Sequence, residues 1–225
     1  LVEAAKRGPV FVEVAKRKCP ACNAFTFKVK CSQCGCETVV EKSCPRCGRA
    51  LRENGCPTCK ADAVPYQRQA VNFRELLEEA CRSLGVPVPK LLKGVKGLTN
   101  KDKTPEIIEK GVLRAKYELS VYKDGTIRFD ATNAPLTHFK PAEVGVLIEK
   151  LRQLGYSHDI SGAPLTDSSQ ICELKIQDVV IPRKAAEYFV QVANFIDDLL
   201  RRVYKLPSHY NIKNADDIVG RSIMG

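Results

Sequence analysis

The chain has 225 residues, of which 44% are hydrophobic and 28% charged. This composition excludes wholesale disorder and allows one sizeable core, or two modest domains beside a small module. No run of eighteen apolar residues occurs, so no transmembrane helix is expected, and the first residues lack an apolar signal core, so no secretory leader is expected either; the formal net charge of +10 suggests a nucleic-acid partner or, more simply, solubility.

Val10–Val14 reads as a strand that leads into a cysteine-rich segment. Four C-x-x-C pairs follow: Cys19/Cys22, Cys31/Cys34, Cys44/Cys47 and Cys56/Cys59. Each half reads C-x2-C-x8-C-x2-C, and the second half repeats the first after 25 residues. A C-x-x-C turn sets two sulfurs on one side of a tight knuckle, and two facing knuckles make a tetrahedral all-sulfur cage for Zn2+. Pro20, Pro45 and Pro57 set the entry to three knuckles, while Gly35 and Gly48 follow the second cysteine where a positive φ is needed. A disulfide framework would need export, and a redox C-x-x-C comes singly, so two closed structural zinc sites are the expectation. Two such sites would remove four charges and leave the chain basic. Sequential pairing (19/22/31/34 and 44/47/56/59) competes with a cross-braced arrangement, and Cys36 competes with Cys34 as a ligand. Cys81 and Cys172 read as inert core thiols.

Beyond Cys59, Asn72 and Glu75 predict a capping box on a helix whose apolar face is Phe73, Leu76, Leu77, Ala80 and Leu84, ended by Gly85 and Val86–Pro89. A basic loop follows, with Lys90, Lys93, Lys96, Lys101 and Lys103; it is either a phosphate-contacting or a merely solvated loop. Thr104-Pro105-Glu106 predicts a helix start with Pro at the first position. Tyr117–Tyr122 and Thr126–Asp130 read as a hairpin about Asp124-Gly125. Pro141–Leu154 reads as one helix closed by Gly155, Leu174–Ile181 as a strand, and Pro182–Tyr204 as the longest helix. Asn214 caps a short last helix with Asp216 and Asp217 in its first turn.

No catalytic centre emerges from these residues. There is no D-x-D pair, Walker loop or nucleophile elbow. Asp197-Asp198 and Asp216-Asp217 read as structural, and His138, His158 and His209 are scattered.

A resemblance supplies what motifs do not. Lys96–Thr99, Lys103–Glu106, Lys110–Lys116, Tyr122–Phe139, Leu151–Asp159 and Asn194–Leu200, together with the C-P-x-C knuckles, resemble the large subunit of archaeal family D DNA polymerase across nearly the whole chain. The resemblance implies a segment of the polymerising subunit of a two-subunit replicative enzyme, α+β in class, with tandem zinc modules beside a double-psi β-barrel core. It implies template-directed nucleotidyl transfer with two Mg2+ ions. The family's aspartates lie in an Asn-x-Asp-Gly-Asp motif that this chain lacks, so no catalytic residue is carried over and the Mg2+ ligands fall outside it. The chain is therefore expected to be a piece preceding that motif. Its division would be 1–18, the end of a preceding core element; 19–61, the tandem four-cysteine zinc module; 62–103, a helix and basic linker; and 104–225, a mixed segment of the core.

Implied partners are primer–template DNA, the small subunit and the sliding clamp, without a membrane, in the archaeal cytoplasm. A 3′–5′ exonuclease is associated with the family, more with its small subunit. Lys90, Lys93, Lys96, Lys101, Lys103, Arg114, Lys116 and Arg128 are the candidate DNA contacts. The alternatives are a stand-alone zinc-ribbon nucleic-acid-binding module and a docking scaffold for another subunit.

Overall fold

A computed structural model describes residues 2–6, 8–51, 54–92, 100–122, 126–129 and 136–221. The chain divides into two compact units, Leu1–Ile127 and Arg128–Gly225.

The first unit is organised by a ribbon of two six-residue antiparallel strands, β1 (Val10–Ala15) and β7 (Tyr66–Val71), paired from Val10↔Val71 to Ala15↔Tyr66. Between them, β2 (Arg17–Lys18), β3 (Phe25–Thr26) and β4 (Val39–Val40) form a three-stranded sheet, and β5 (Lys42–Ser43) pairs with β6 (Ala50–Leu51). The cysteine-rich segment is thus an insertion carried on a two-stranded stem.

Helix α1 (Val2–Lys6) and helix α3 (Ile108–Lys116) both pack on α2 (Phe73–Leu84). The Asn72 carboxamide accepts the N–H groups of Arg74 and Glu75, and Gly85 ends α2 in the left-handed region at φ 63°. The buried face of α2 is Leu77, Ala80, Cys81 and Leu84. The boundary expected after residue 103 falls inside this unit.

Two local expectations change here. Helix α3 begins at Ile108, not Thr104, because the Asn100 carboxamide accepts the Thr104 N–H at 2.8 Å and Glu106 is drawn to the buried Arg114. The hairpin expected over 117–130 is reduced to one bridge, Val121↔Ile127. Glu118 turns the chain at φ 54° and delivers Leu119, fully buried, beneath the end of α3, which pre-empts an extended strand. Asp124-Gly125 and Asp130 lie outside the described residues.

In the second unit, β8 (His138–Phe139) pairs with β9 (Cys172–Glu173). The single helix expected over 141–154 is two, α4 (Pro141–Val144) and α5 (Ile148–Gln153). Gly145 breaks it at φ 66° and Leu147 is extended. Phe139, Leu151, Tyr156, Leu165 and Cys172 form a core cluster around them. Residues 174–181 are not a strand: the Tyr156 hydroxyl accepts the Lys175 N–H and donates to Asp178 at 2.5 Å, which folds the segment into a turn. Helix α6 (Arg183–Asp198) continues as a π-helical segment over Leu199–Tyr204 and stops at Lys205, as expected for the longest helix.

Ala186 and Ala193 on α6 pack with Ile212 and Ile218, the latter on a 3-10 turn (Ala215–Ile218) capped reciprocally by Asn214 and Asp217. Among the described residues every sheet has two or three strands, too few to close a barrel, so a double-psi β-barrel is not among them. Nor, among them, is any helix long and apolar enough to cross a membrane.

Candidate metal centres

The four knuckles share one backbone geometry. Residues Asn23, Gly35, Gly48 and Lys60, each following a second cysteine, all have positive φ, between 52° and 73°. Each donates its N–H to the carbonyl of the knuckle's first cysteine (Cys19, Cys31, Cys44, Cys56) at 2.9 or 3.0 Å. Each first cysteine in turn donates its own N–H, at 2.9 Å, to the second residue past the knuckle: Ala24, Cys36, Arg49 and Ala61. Cys36 therefore occupies the position filled elsewhere by alanine or arginine, and contributes a carbonyl rather than a sulfur. The sequence revealed Gly35 and Gly48; Asn23 and Lys60 were missed, although an Asn after C-x-x-C is itself a left-handed signal.

This geometry closes two groups of four thiols, Cys19/Cys22/Cys31/Cys34 and Cys44/Cys47/Cys56/Cys59, with the ligand atoms of each group all within 4.8 Å of one another. The pairing is sequential. Cys19 and Cys34 sulfurs lie 3.3 Å apart, Cys22 and Cys31 3.5 Å, and Cys47 and Cys56 3.8 Å. These separations are far beyond a disulfide of about 2.05 Å. They approach the edge of about 3.8 Å that four Zn–S bonds of about 2.3 Å give a tetrahedron. The first cysteine of each knuckle is buried, and Cys22, Cys34 and Cys47 are exposed.

Electrostatics favour a cation. The backbone N–H of Cys22 holds the Cys19 thiol down to about 6, and that of Cys47 does the same for Cys44. Hydrogen bonding to the Cys47 thiol pushes Cys59 up to about 12, so the cages do not ionise completely on their own. A dication at the centre removes that conflict, and all-sulfur donation in a closed four-coordinate set fits Zn2+. Behind the first group, Arg17 binds the buried Thr38 through its hydroxyl (2.8 Å) and carbonyl (2.6 Å), and the Thr38 hydroxyl lies within hydrogen-bond distance of the Lys28 and Val29 carbonyls. Cys81 and Cys172 are buried and belong to neither group, and burial pushes their thiols up.

The basic residues divide. Lys103 is held by Glu13 and stands 3.7 Å from the Tyr66 ring centre, and Arg114 is buried in a two-bond pair with Glu106. Both serve the fold. Lys90, Lys101, Lys116 and Arg128 are exposed. Lys90 and Lys116 line one cleft with Val86, Pro87 and Val112. Lys93 and Lys96 lie outside the described residues. The aspartate pairs are structural: Asp197 accepts the N–H groups of His209, Tyr210 and Asn211, and Asp198 binds Arg201 and Arg202.

A basic chain with two closed four-thiol cages on a stem has donor sets that could hold two structural metal ions. Its family is more specific. The family profile described as DNA polymerase II large subunit DP2, catalytic domain, matches residues 85–225, and that described as the central domain of the same subunit matches residues 2–53. The chain belongs to the DNA polymerase II large subunit family. It is 49% identical over 222 residues to the DNA polymerase II large subunit of Archaeoglobus fulgidus, covering 98% of this chain and 19% of that protein. It is 43% identical to those of Methanocella arvoryzae (97% of this chain, 19% of that protein) and Pyrococcus furiosus (99% and 18%). The chain spans about a fifth of the length of these relatives.

Proposed function

We propose that this chain is the zinc-bearing scaffold of a replicative DNA polymerase large subunit, placed beside the DNA path. The observation that carries the reading is the pair of matching four-thiol cages in a chain of this family. Cys19, Cys22, Cys31 and Cys34 hold one zinc; Cys44, Cys47, Cys56 and Cys59 hold the other. Each ion supplies a rigid cross-link and, with no open position, no Lewis-acid chemistry on substrate.

Template-directed synthesis by the whole subunit uses Mg2+ held by carboxylates elsewhere, and the double-psi β-barrel lies there as well. Primer–template DNA, the small subunit and the sliding clamp are partners of that whole, in the cytoplasm. Within this chain the DNA contacts are the exposed cations Lys90, Lys101, Lys116 and Arg128. Lysines set phosphate register without reading sequence, so their loss weakens binding uniformly.

The test is binding of zinc-loaded protein to primer–template DNA across a salt series. Lys90→Ala with Lys116→Ala is expected to lower the slope of log K against log salt by about 2, near one per lost phosphate contact. An unchanged slope would remove these lysines from the interface.

A further inference from the structure

The first zinc module carries an exposed face that neither zinc nor the stem explains. In the three-stranded sheet Lys18 is paired directly with Phe25 on one side and Val39 on the other, so the three side chains share one face. Phe25 is 59% exposed and Val39 57% exposed, unusual for apolar residues facing each other across a lysine. Two ammonium groups surround the ring, Lys16 Nζ at 5.4 Å and Lys18 Nζ at 5.7 Å from its centre. Lys18 and Val39 continue into a cleft of about 360 Å3 between the two modules, lined also by Val40, Glu41, Lys42 and Leu51.

The charge balance of this surface is positive. Glu41, the acid in the cleft, is neutralised by Lys16 at 2.8 Å. Lys42 bonds the neutral Asn54 carboxamide at 2.8 Å, and Lys18 has no carboxylate partner among the described residues. Lys18 and Lys42, without a carboxylate partner among the described residues, therefore lie along a surface that holds the Phe25 ring and a cleft lined in part by Val39, Val40 and Leu51. An apolar protein partner would gain nothing from the lysines, and duplex DNA hides its base faces.

We propose that Phe25 is a stacking platform for an unpaired base of single-stranded DNA, with Lys18 and Lys42 on the flanking phosphates and the cleft admitting the next nucleotide. This rests on the polymerase reading and gives it a single-strand subsite. Stacking on an aromatic is sequence-tolerant and adds roughly tenfold to affinity per base.

The experiment is fluorescence anisotropy of the zinc-loaded chain with a labelled oligothymidylate, a matching RNA and a duplex. Phe25→Ala is expected to weaken oligothymidylate binding roughly tenfold and leave duplex binding unchanged, while Phe25→Tyr restores it. Lys18→Gln with Lys42→Gln should flatten the single-strand salt dependence. Zinc content and circular dichroism matched to the parent chain verify folding of each variant. Unchanged oligothymidylate affinity in Phe25→Ala overturns the platform, and so does a preference for RNA over DNA. If duplex binding persists in that case, the polymerase reading survives; if neither strand form binds the parent chain, both fail.

Discussion

Arg114 reaches back along the chain to clamp Glu106, one guanidinium nitrogen on each carboxylate oxygen at 2.8 and 2.5 Å. The arginine side chain is 8% exposed and the glutamate 37%, so the pair is anchored on its cationic side. It holds the lead-in to α3 extended and stops the helix from starting at Pro105. Glu106→Ala removes this two-bond contact from a buried guanidinium and is expected to cost about 2 kcal/mol, read by chemical denaturation. An exposed, uncoupled pair would cost no more than about 1 kcal/mol.

The knuckle exits and the end of the second unit test glycine in two different ways. Gly48 has φ 72° and open space where a Cβ would go, so Gly48→Ala carries only the left-handed penalty, about 1–2 kcal/mol. Gly220 has φ 75°, and a Cβ there would collide with Leu154 Cδ2. Gly220→Ala is therefore expected to be the more destabilising change, with the loss seen in thermal melts. It should leave zinc content untouched, whereas Gly48→Ala lowers zinc affinity roughly two- to fivefold if half its strain falls on the cage.

Acid should loosen the end of the second unit. Burial alone would raise the Asp197 carboxyl, but the amides of Tyr210, Asn211 and His209 outweigh it and hold it below its ordinary range. Asp217 is lowered by the amides of Lys213 and Asn214. A depressed folded-state pKa contributes stability above the unfolded value and loses it as pH falls through the folded one. Protection of the amides at residues 209–214, measured against their intrinsic exchange rates, should therefore fall below about pH 4. Asp197→Asn should show that loss of protection at neutral pH, with less further change in acid.

Thiol chemistry separates Cys36 from its neighbours. It is exposed and stands at a knuckle exit, while Cys81 and Cys172 are buried. With both cages loaded, one thiol, Cys36, is expected to react rapidly with a disulfide reagent, and Cys81 and Cys172 only on unfolding. Rapid reaction of a second thiol in Cys36→Ser would show an open cage.

What the sequence revealed follows how local the physics is. The cap of α2 by Asn72, its end at Gly85, and the knuckles with Gly35 and Gly48 are set within a few residues, and all were legible. The break at Gly145 was not, because an apolar period runs straight through it. The turn over 174–181 depends on the Tyr156 hydroxyl, contributed from some twenty residues earlier. The β1–β7 stem joins strands on either side of the cysteine segment, and periodicity carries no information on which strand pairs with which. The basic residues looked alike in sequence; burial is what separates Lys103 and Arg114 from the exposed Lys90 and Lys116.

Native mass spectrometry of the chain tests the central assignment most directly. Two zinc ions per chain are expected, two again in Cys36→Ser, and one in Cys34→Ser or Cys59→Ser. A single ion in the parent chain, or loss of zinc on removing Cys36 while Cys34→Ser retains both, would contradict the two sequential cages.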